Sequence, residues 1–336
     1  MNIARWCMVA AATLMTAGEP ASSQVIKLGS LAPEGSPYHQ GLVEIAQAWK
    51  KMSNGGVDVR IFPGGVVGDE PDMIRKMRIG QLNAAALTSV SLITIAPDIE
   101  AISFPSMVQT DEELDEVIRV VGPQLEQQLQ ERGFVLVAWT LAGWVHFFAR
   151  EPVIAPADLQ RQKLFFWGSD TRYLELLKRT RFHPVSLPVA ELLPSLQSGL
   201  VEAFAAPPAV ALAFQWHPRA PHMTAMRWQP LPGCVVVDQR TWNRIPEALR
   251  PGLLAEARRI SGSLMARSRQ LEIDAIAAMK QAGLTVHDVP DTVREEWMDL
   301  VRREGYPIFV GSRFSREIFE AVQAAVAPLR QSAPVE

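Results

Sequence analysis

Three short apolar segments near the start of the chain alternate with two segments of helical character. The three apolar segments have the length and pattern of strands and are Val25–Leu31, Val57–Ile61 and Ala84–Leu87. Between them, Leu42–Trp49 has apolar residues at helical spacing, and Asp69–Ile79 begins with a residue type that commonly caps helices. This alternation of strand and helix predicts a parallel sheet of the α/β class.

The segment Phe134–Arg150 is strand-like over its whole length, interrupted only at Gly143. A strand this long exceeds one ordinary sheet, so we expect it to cross between two lobes. A second α/β series follows, with strand Lys163–Trp167, a helix capped by Ser169, helix Val189–Gln197 and strand Val201–Ala205. The two series predict two α/β lobes with a ligand cleft between them.

A helical run near the C-terminus extends over Pro251–Ala282 and ends at Gly283. At about 1.5 Å per residue it would be roughly 48 Å long, which is longer than one lobe requires. We therefore expect a helix that runs along both lobes, with Gly262 as a position that permits a bend. On this basis the first lobe is predicted to contain residues 24–143 and 222–258, and the second lobe residues 144–221 and 259–330.

The N-terminus has the order of features found in a secretory signal peptide. Arg5 precedes the apolar segment Trp6–Ala17, and the small-residue tract Ala21–Gln24 follows it. We predict that residues 1–23 are a signal peptide and that the mature protein lies in the periplasm. Removal of this segment would leave Cys234 as the only thiol, which excludes an intramolecular disulfide.

Composition and motifs remove several classes of function. The chain has 33 Lys and Arg residues against 36 Asp and Glu residues and no basic run, which argues against nucleic-acid binding. The loop Pro63–Gly68 lacks the lysine of a phosphate-binding loop, and His217 and His222 lack the spacing of zinc ligands. Cys234 lies in an apolar run, where a packed thiol is the expected state. We therefore expect no enzymatic activity, no cofactor and no metal site.

Aromatic residues are concentrated in the middle of the chain. Five of the nine tryptophans lie between Trp139 and Trp228. Most aromatic residues inside strands pack in the core. Trp144 and Trp167 instead lie next to glycines at the ends of predicted elements, where the side chains of a cleft commonly arise. These two positions indicate an aromatic pocket.

Several segments together resemble the substrate-binding proteins of tripartite ATP-independent periplasmic (TRAP) transporters, of the DctP type. They are Val25–Gly29, Pro63–Glu70, Arg78–Ala84, Ala157–Leu159 and Leu192–Ala203. The resemblance covers nearly all of the mature chain. It implies a two-lobe, periplasmic-binding-protein-like fold with a long helix spanning both lobes. It also implies a receptor that carries a small-molecule ligand to the membrane subunits of a TRAP permease.

The chain departs from the family pattern at the position that matters most for ligand charge. In typical members, the strand after the Asp-Leu block carries an arginine that pairs with the ligand carboxylate, and here Phe165 stands in its place. The polar residues that usually follow the Leu-Gln-x-Gly block are replaced by Phe204–Pro208. The sequence more closely resembles the subgroup associated with a tetratricopeptide-repeat partner protein, whose pocket is apolar. We therefore expect an apolar or weakly polar ligand.

The resemblance and the aromatic positions together give a predicted ligand site. One side is expected to be mainly aromatic and the other polar: Trp144, Phe165, Trp167, Phe204 and Pro207 opposite Glu34, Ser36, Tyr38, Glu70, Thr88 and Ser89. Within the receptor class, the alternative is an acid bound through Arg150 or Arg172. Outside it, the alternatives are a ligand-free periplasmic interaction protein and an exported hydrolase.

Overall fold

The computed structural model describes residues 23–168 and 171–332. All but the last residue of the predicted signal peptide, and the predicted helix cap Ser169, lie outside the described residues. For Arg172 only the backbone is described. Among the described helices, none combines the length and the apolar character needed to cross a membrane.

The described strands form one continuous sheet that runs through both lobes. Its order is β2-β1-β3-β9-β4-β7-β5-β6, and β8 pairs with β4 and with β10. The strands are β1 (Gln24–Ser30), β2 (Val57–Phe62), β3 (Ala84–Thr88), β4 (Phe134–Ala149), β5 (Lys163–Trp167), β6 (His183–Leu187), β7 (Ala203–Ala206), β8 (His222–Thr224), β9 (Gln229–Asp238) and β10 (Thr285–His287).

The helices cover both faces of this sheet. They are α1 (Pro37–Met52), α2 (Glu70–Arg78), α3 (Ser89–Leu92), α4 (Glu100–Ser103), α5 (Asp111–Glu131), α6 (Pro156–Leu159), α7 (Thr171–Arg179), α8 (Leu192–Ser198), α9 (Pro208–Ala213), α10 (Gln239–Arg244), α11 (Arg250–Ala266), α12 (Ser268–Gln281), α13 (Asp291–Leu300), α14 (Tyr306–Phe309) and α15 (Arg316–Ser332). The mixed α/β class predicted from the sequence is therefore confirmed.

Strand β4 connects the two lobes, as its length predicted. Its first half pairs with β9 in the first lobe, and its second half pairs with β7 and β8 in the second lobe. The register with β9 is irregular between Leu141 and Trp144. Gly143 lies inside this irregularity with φ of 126°, a conformation that side chains rarely adopt. The bend of the long strand therefore depends on this glycine.

The long helix also connects the lobes, but it is broken at a different residue from the one expected. Helix α11 ends at Ala266 and α12 begins at Ser268, with Arg267 between them at φ −92° and ψ −3°. Gly262 lies inside α11, and a Cβ atom there would meet nothing within 4 Å. The sequence marked Gly262 only as a position that permits a bend, and the helix is interrupted at Arg267 instead.

The C-terminal helix packs on the first lobe, whereas the sequence assigned residues 259–330 to the second. Ile318 and Val322 of α15 are buried in the same core cluster as Leu114 of α5. Arg330 also donates to both oxygens of the buried carboxylate of Glu113, at 2.7 and 3.0 Å. This packing against a helix far away in the chain leaves no local signal in the sequence.

Candidate functional site

A cavity of about 760 Å³ lies between the two lobes. Its wall includes the carboxyl ends of β3 in the first lobe and of β5 and β7 in the second. Ligands of open α/β sheets commonly bind beyond the carboxyl ends of the strands. The volume lies within the range typical of small-molecule sites, so this cavity is the candidate ligand site.

The first lobe contributes a cluster of polar side chains around Glu70, next to apolar lining residues such as Leu42 and Ile45. This first-lobe wall contains Tyr38, Glu70, Thr88, Ser89 and Ser91. Asp69 caps α2 and places Glu70 in its first turn. The backbone N–H of Thr88 donates to Glu70 Oε1 at 2.9 Å, and the Thr88 hydroxyl lies 3.0 Å from Oε2. The end of β3 and the start of α2 thus hold this carboxyl group in a fixed orientation.

Burial makes the carboxyl group of Glu70 neutral. The side chain is 1% exposed, and loss of solvation raises its pKa from the ordinary value of 4.5 to about 8, against the opposing effect of the Thr88 hydrogen bonds. Burial likewise raises the pKa of Tyr38, whose hydroxyl donates to the carbonyl oxygen of Ala142 at 2.6 Å. At neutral pH this wall therefore offers uncharged hydrogen-bonding groups.

The second lobe contributes a wall of aromatic and aliphatic side chains. This second-lobe wall contains Phe165, Trp167, Pro207, Phe214 and Trp216. The rings of Phe214 and Trp216 are stacked, with centroids 4.8 Å apart. Phe165 is 9% exposed and also belongs to the core of the lobe. Most polar groups of the cavity thus come from the first lobe, and most of its aromatic rings from the second.

A hydrogen bond joins the two lobes at Trp167. Its indole N–H donates to Asp69 Oδ2 at 3.1 Å, and the backbone N–H of Val189 approaches the same oxygen at 3.4 Å. From the sequence, Asp69 was predicted only as a helix cap. Its second role could not be found there, because it depends on how the lobes face each other.

Seven of the predicted site residues line the cavity: Tyr38, Glu70, Thr88, Ser89, Phe165, Trp167 and Pro207. Two of the predicted polar residues do not. Glu34 is exposed in the turn before α1. Ser36 caps α1, where its hydroxyl oxygen accepts the backbone N–H of His39 at 3.2 Å. Neither side chain belongs to the cavity wall, so the structure does not bring these two predicted residues to the candidate site.

Two predicted aromatic residues are likewise absent from the wall. Trp144 is 1% exposed, and its indole N–H donates to Asp111 at 2.6 Å while the guanidinium of Arg227 lies 5.2 Å from its ring centroid. Phe204 is completely buried and stacks on Phe148 at 5.0 Å. Both positions are corrected to core residues, because their side chains are buried in the hydrophobic core clusters of the two lobes.

Charged groups able to bind an acid are scarce in the wall. Among the side chains that the structure describes, Arg313 provides the only guanidinium in the wall, and it pairs with Glu100 at 2.8 Å. Arg150 lies outside the wall, where it donates to the carbonyl oxygen of Leu196. The side chain of Arg172, the other predicted alternative, lies outside the described residues.

Other wall residues were not predicted from the sequence. They include Phe104, Leu176, Gln229 and Val301, which come from four separate segments. No motif marks any of them, and their common location follows only from the packing of the two lobes.

Comparison with known proteins assigns this architecture to a family. The family model for bacterial extracellular solute-binding proteins of family 7, DctP, matches residues 28–304. The chain therefore belongs to this family of solute-binding proteins. The C4-dicarboxylate-binding periplasmic protein DctP of Rhodobacter capsulatus is 24% identical over 314 residues, which cover 90% of this chain and 91% of that protein.

Solved structures have the same fold. A TRAP periplasmic solute-binding protein from Desulfovibrio salexigens, with bound orotic acid, matches with a TM-score of 0.84 and 20% identity, covering 92% of this chain and 99% of that chain. A TRAP protein from Sulfurospirillum deleyianum, with bound succinate, matches with a TM-score of 0.83 and 20% identity, covering 90% and 99%. These matches confirm the two-lobe fold.

Proposed function

We propose that this chain is the periplasmic receptor of a TRAP-type transporter and that its ligand is an uncharged, largely apolar small molecule. The chain would act without catalysis and deliver this ligand to the membrane subunits of a permease. The observation that carries the proposal is the second-lobe wall, in which Phe165 stands where the family resemblance implies an arginine. Opposite it, burial raises the pKa of Glu70 to about 8, which favours its neutral form at physiological pH.

The energetic argument concerns desolvation of the ligand. A carboxylate that enters an apolar site loses its hydration, and this loss is costly unless a cation or several donors replace the water. In the described wall, Arg313 is already paired with Glu100. An apolar ligand instead gains about 25 cal/mol for each Å² removed from water. The wall therefore favours an apolar ligand over an acid.

A second candidate is an acidic ligand bound through Arg172. It is favoured by the relatives, because the Rhodobacter protein is a C4-dicarboxylate-binding protein and the compared structures hold orotic acid and succinate. A third candidate, a ligand-free interaction protein, is disfavoured by an open cavity of about 760 Å³ between the lobes.

Export and partners follow from the same proposal. Residues 1–23 would direct the chain to the periplasm, where the relative from Rhodobacter capsulatus is named as a periplasmic protein. The membrane partner would be a TRAP permease. A tetratricopeptide-repeat protein would be an additional periplasmic partner, as the apolar substitutions at Phe165 and Phe204–Pro208 suggest.

Ligand identification tests the proposal directly. Native mass spectrometry of protein purified without denaturation is expected to find a neutral, mainly apolar molecule, released on unfolding. A tightly bound dicarboxylate or sugar acid would overturn the proposal. The variant Arg172→Ala then distinguishes the two candidate ligands. A neutral ligand should remain bound to this variant, whereas an acid bound through Arg172 should be lost.

The variant Phe165→Arg tests the role of the second-lobe wall. It is expected to weaken a neutral ligand by at least a hundredfold, because an unpaired buried charge costs about 3 kcal/mol or more. The same variant should bind succinate more tightly than the wild type does, in calorimetry at low salt. Phe165→Met is the matched control, since it keeps a large apolar side chain. Equal loss in both variants would mean that packing, and not charge, is responsible.

A further inference from the structure

The cavity extends along one face of the first lobe's sheet. Val235 of β9 is paired with Ala86 of β3 and with Ala138 of β4, and directly paired residues share a face. Thr140 lies two residues beyond Ala138 and is therefore on the same face. Val236, the next residue of β9, belongs to a different core cluster on the opposite face. Because Ala86, Thr140 and Val235 line the cavity, three neighbouring strands form its floor here.

Helices α1 and α11 of the first lobe enclose the space above this floor. Leu42 of α1 and Ile260 of α11 belong to the core cluster of this face and also line the cavity. Leu264 of α11 lines it too, and a Cβ atom at Gly41 of α1 would lie 3.2 Å from the Leu264 side chain. We call this space the α1–α11 compartment, and its lining is Leu42, Ala86, Thr140, Ile260, Ser261 and Leu264.

Small side chains on the floor leave this compartment open. Gly233 is paired with Thr88 on one side and with Thr140 on the other, and it has no side chain, while Ala86 has only a methyl group. Ala86, Thr140 and Leu264 are partly exposed although they lie between a sheet and two helices. The lining of an unfilled apolar space lacks van der Waals partners on one side, and a hydrocarbon group that enters the space supplies them.

The charged pair of the cavity wall lies on the other face of the sheet. Glu100 belongs to α4, whose Ile102 is buried in the core cluster of that opposite face. Arg313, which pairs with Glu100 at 2.8 Å, immediately precedes Phe314 of the same cluster. The lining of the α1–α11 compartment is apolar except for two uncharged hydroxyl groups. It therefore suits a hydrocarbon group and offers no countercharge to an acid.

We propose that the α1–α11 compartment is a subsite for a hydrocarbon group of the ligand, which enters the first lobe between these two helices. The ligand then does not lie only between the lobes, and the size of its apolar end is selected by the small floor residues Ala86 and Thr140. This inference rests on the proposed function, since it requires a ligand with an uncharged apolar part.

Ala86→Leu tests the subsite by filling it from the floor. The probe is 1-octanol, a neutral molecule with a long hydrocarbon chain. Displacement of two buried CH₂ groups, each worth about fourfold in affinity, should weaken its binding at least about tenfold in fluorescence titration. Ala266→Leu is the matched control and should bind 1-octanol as the wild type does, because Ala266 is exposed at the end of α11 and outside the cavity wall.

Leu264→Trp narrows the same compartment from the helix side. It should weaken 1-octanol to a similar extent, and it keeps the test valid if Ala86→Leu does not fold. Thermal unfolding checks that each variant is folded. Wild-type affinity for 1-octanol in the folded variants would overturn the inference.

A brominated probe locates the hydrocarbon end directly. In crystals of the wild-type protein with 8-bromo-1-octanol, the anomalous signal of bromine is expected within about 4 Å of the side chain of Ala86 or Ile260, the distance of an apolar contact. A bromine position between the lobes, or beside Glu100 on the other face of the sheet, would contradict the inference.

Succinate separates the two levels of the proposal. If the wild type binds succinate and neither of the alcohols, the proposed function itself is wrong. If it binds 1-octanol, but the bromine lies outside the α1–α11 compartment and Ala86→Leu keeps the wild-type affinity, only this inference fails.

Discussion

The two walls of the cavity are built by different local structures, and this explains their different chemistry. The first-lobe wall comes from the end of a strand and the first turn of a helix, where side chains such as Thr88 and Glu70 can satisfy backbone and polar groups. The second-lobe wall comes from strand β5 and the segment after β7, whose side chains also pack in the core. A polar wall thus forms at a helix start, and an aromatic wall where core strands end.

The comparison also separates two kinds of aromatic residue in the second lobe. Phe165 and Trp167 line the cavity, whereas Phe204 and Trp144 do not. All four lie on strands within a short distance along the chain. Aromatic composition alone therefore does not identify a ligand wall, because neighbouring strands carry both rings that border the cavity and rings that are completely buried in the core.

The largest expected effect comes from Phe204→Ala. This ring is completely buried against Phe148 and Trp216, so its removal should lower the free energy of unfolding by about 3–5 kcal/mol. Affinity for 1-octanol should change little. Phe165→Ala is the variant for comparison. It should lose less stability than Phe204→Ala, because the Phe165 side chain already borders the cavity. Its ligand affinity should be clearly weaker than that of the wild type. Urea unfolding and fluorescence titration measure both quantities, and a reversed pattern would break the distinction between core and wall.

The next effect tests whether the first-lobe wall is neutral. Because the pKa of Glu70 is raised to about 8 in the fold, the folded state holds a proton that the unfolded state releases above about pH 4.5. The free energy of unfolding should therefore fall as pH rises from about 4.5 to about 8, by a few kcal/mol.

Glu70→Gln is the variant that isolates this effect. The free energy of unfolding of Glu70→Gln should not fall over this pH range. The variant should therefore be more stable than the wild type at pH 9 and about equally stable at pH 5. Urea unfolding at pH 5, 7 and 9 measures the difference. A pH-independent difference between the two proteins would mean that Glu70 stays ionised and that the first-lobe wall is negative.

The smallest effect concerns the hydrogen bond that joins the walls. Trp167→Phe removes the indole donor to Asp69 and should favour the open arrangement of the lobes by about 1 kcal/mol, or several fold in population. Spin labels at the exposed positions Ile79 and Leu200 report the distance between the lobes. Trp139→Phe is the matched control, since the Trp139 indole nitrogen has no partner among the described residues. Identical distance distributions in the wild type and Trp167→Phe would rule out this contact as a constraint on opening.

Most of the secondary structure could be predicted because its signals are local. Ser36 caps α1, Asp69 caps α2 and β5 has the predicted bounds, since caps and short apolar runs are read from a few neighbouring residues. The break at Arg267 and the position of α15 were missed. Both depend on contacts between segments that are far apart in sequence.

The candidate site was predictable only in part, for a related reason. Glu70, Thr88 and Phe165 could be predicted because they lie next to motifs or strand ends. Trp144 and Phe204 were assigned to the wall on residue type, although the face of a strand that meets the cavity is set by the opposite lobe. Wall residues such as Phe104 and Gln229 had no signal at all in the sequence.

By itself, the sequence determined the α/β class, the crossing strand β4, the resemblance to TRAP receptors and the replacement of an arginine by Phe165. These features are properties of single segments and of their order along the chain. The tertiary structure alone decided which aromatic rings face the cavity and how Asp69 meets Trp167. The physical reason is that a cavity wall is the meeting of surfaces from distant segments, whose contacts arise only when hydrophobic burial brings the lobes together.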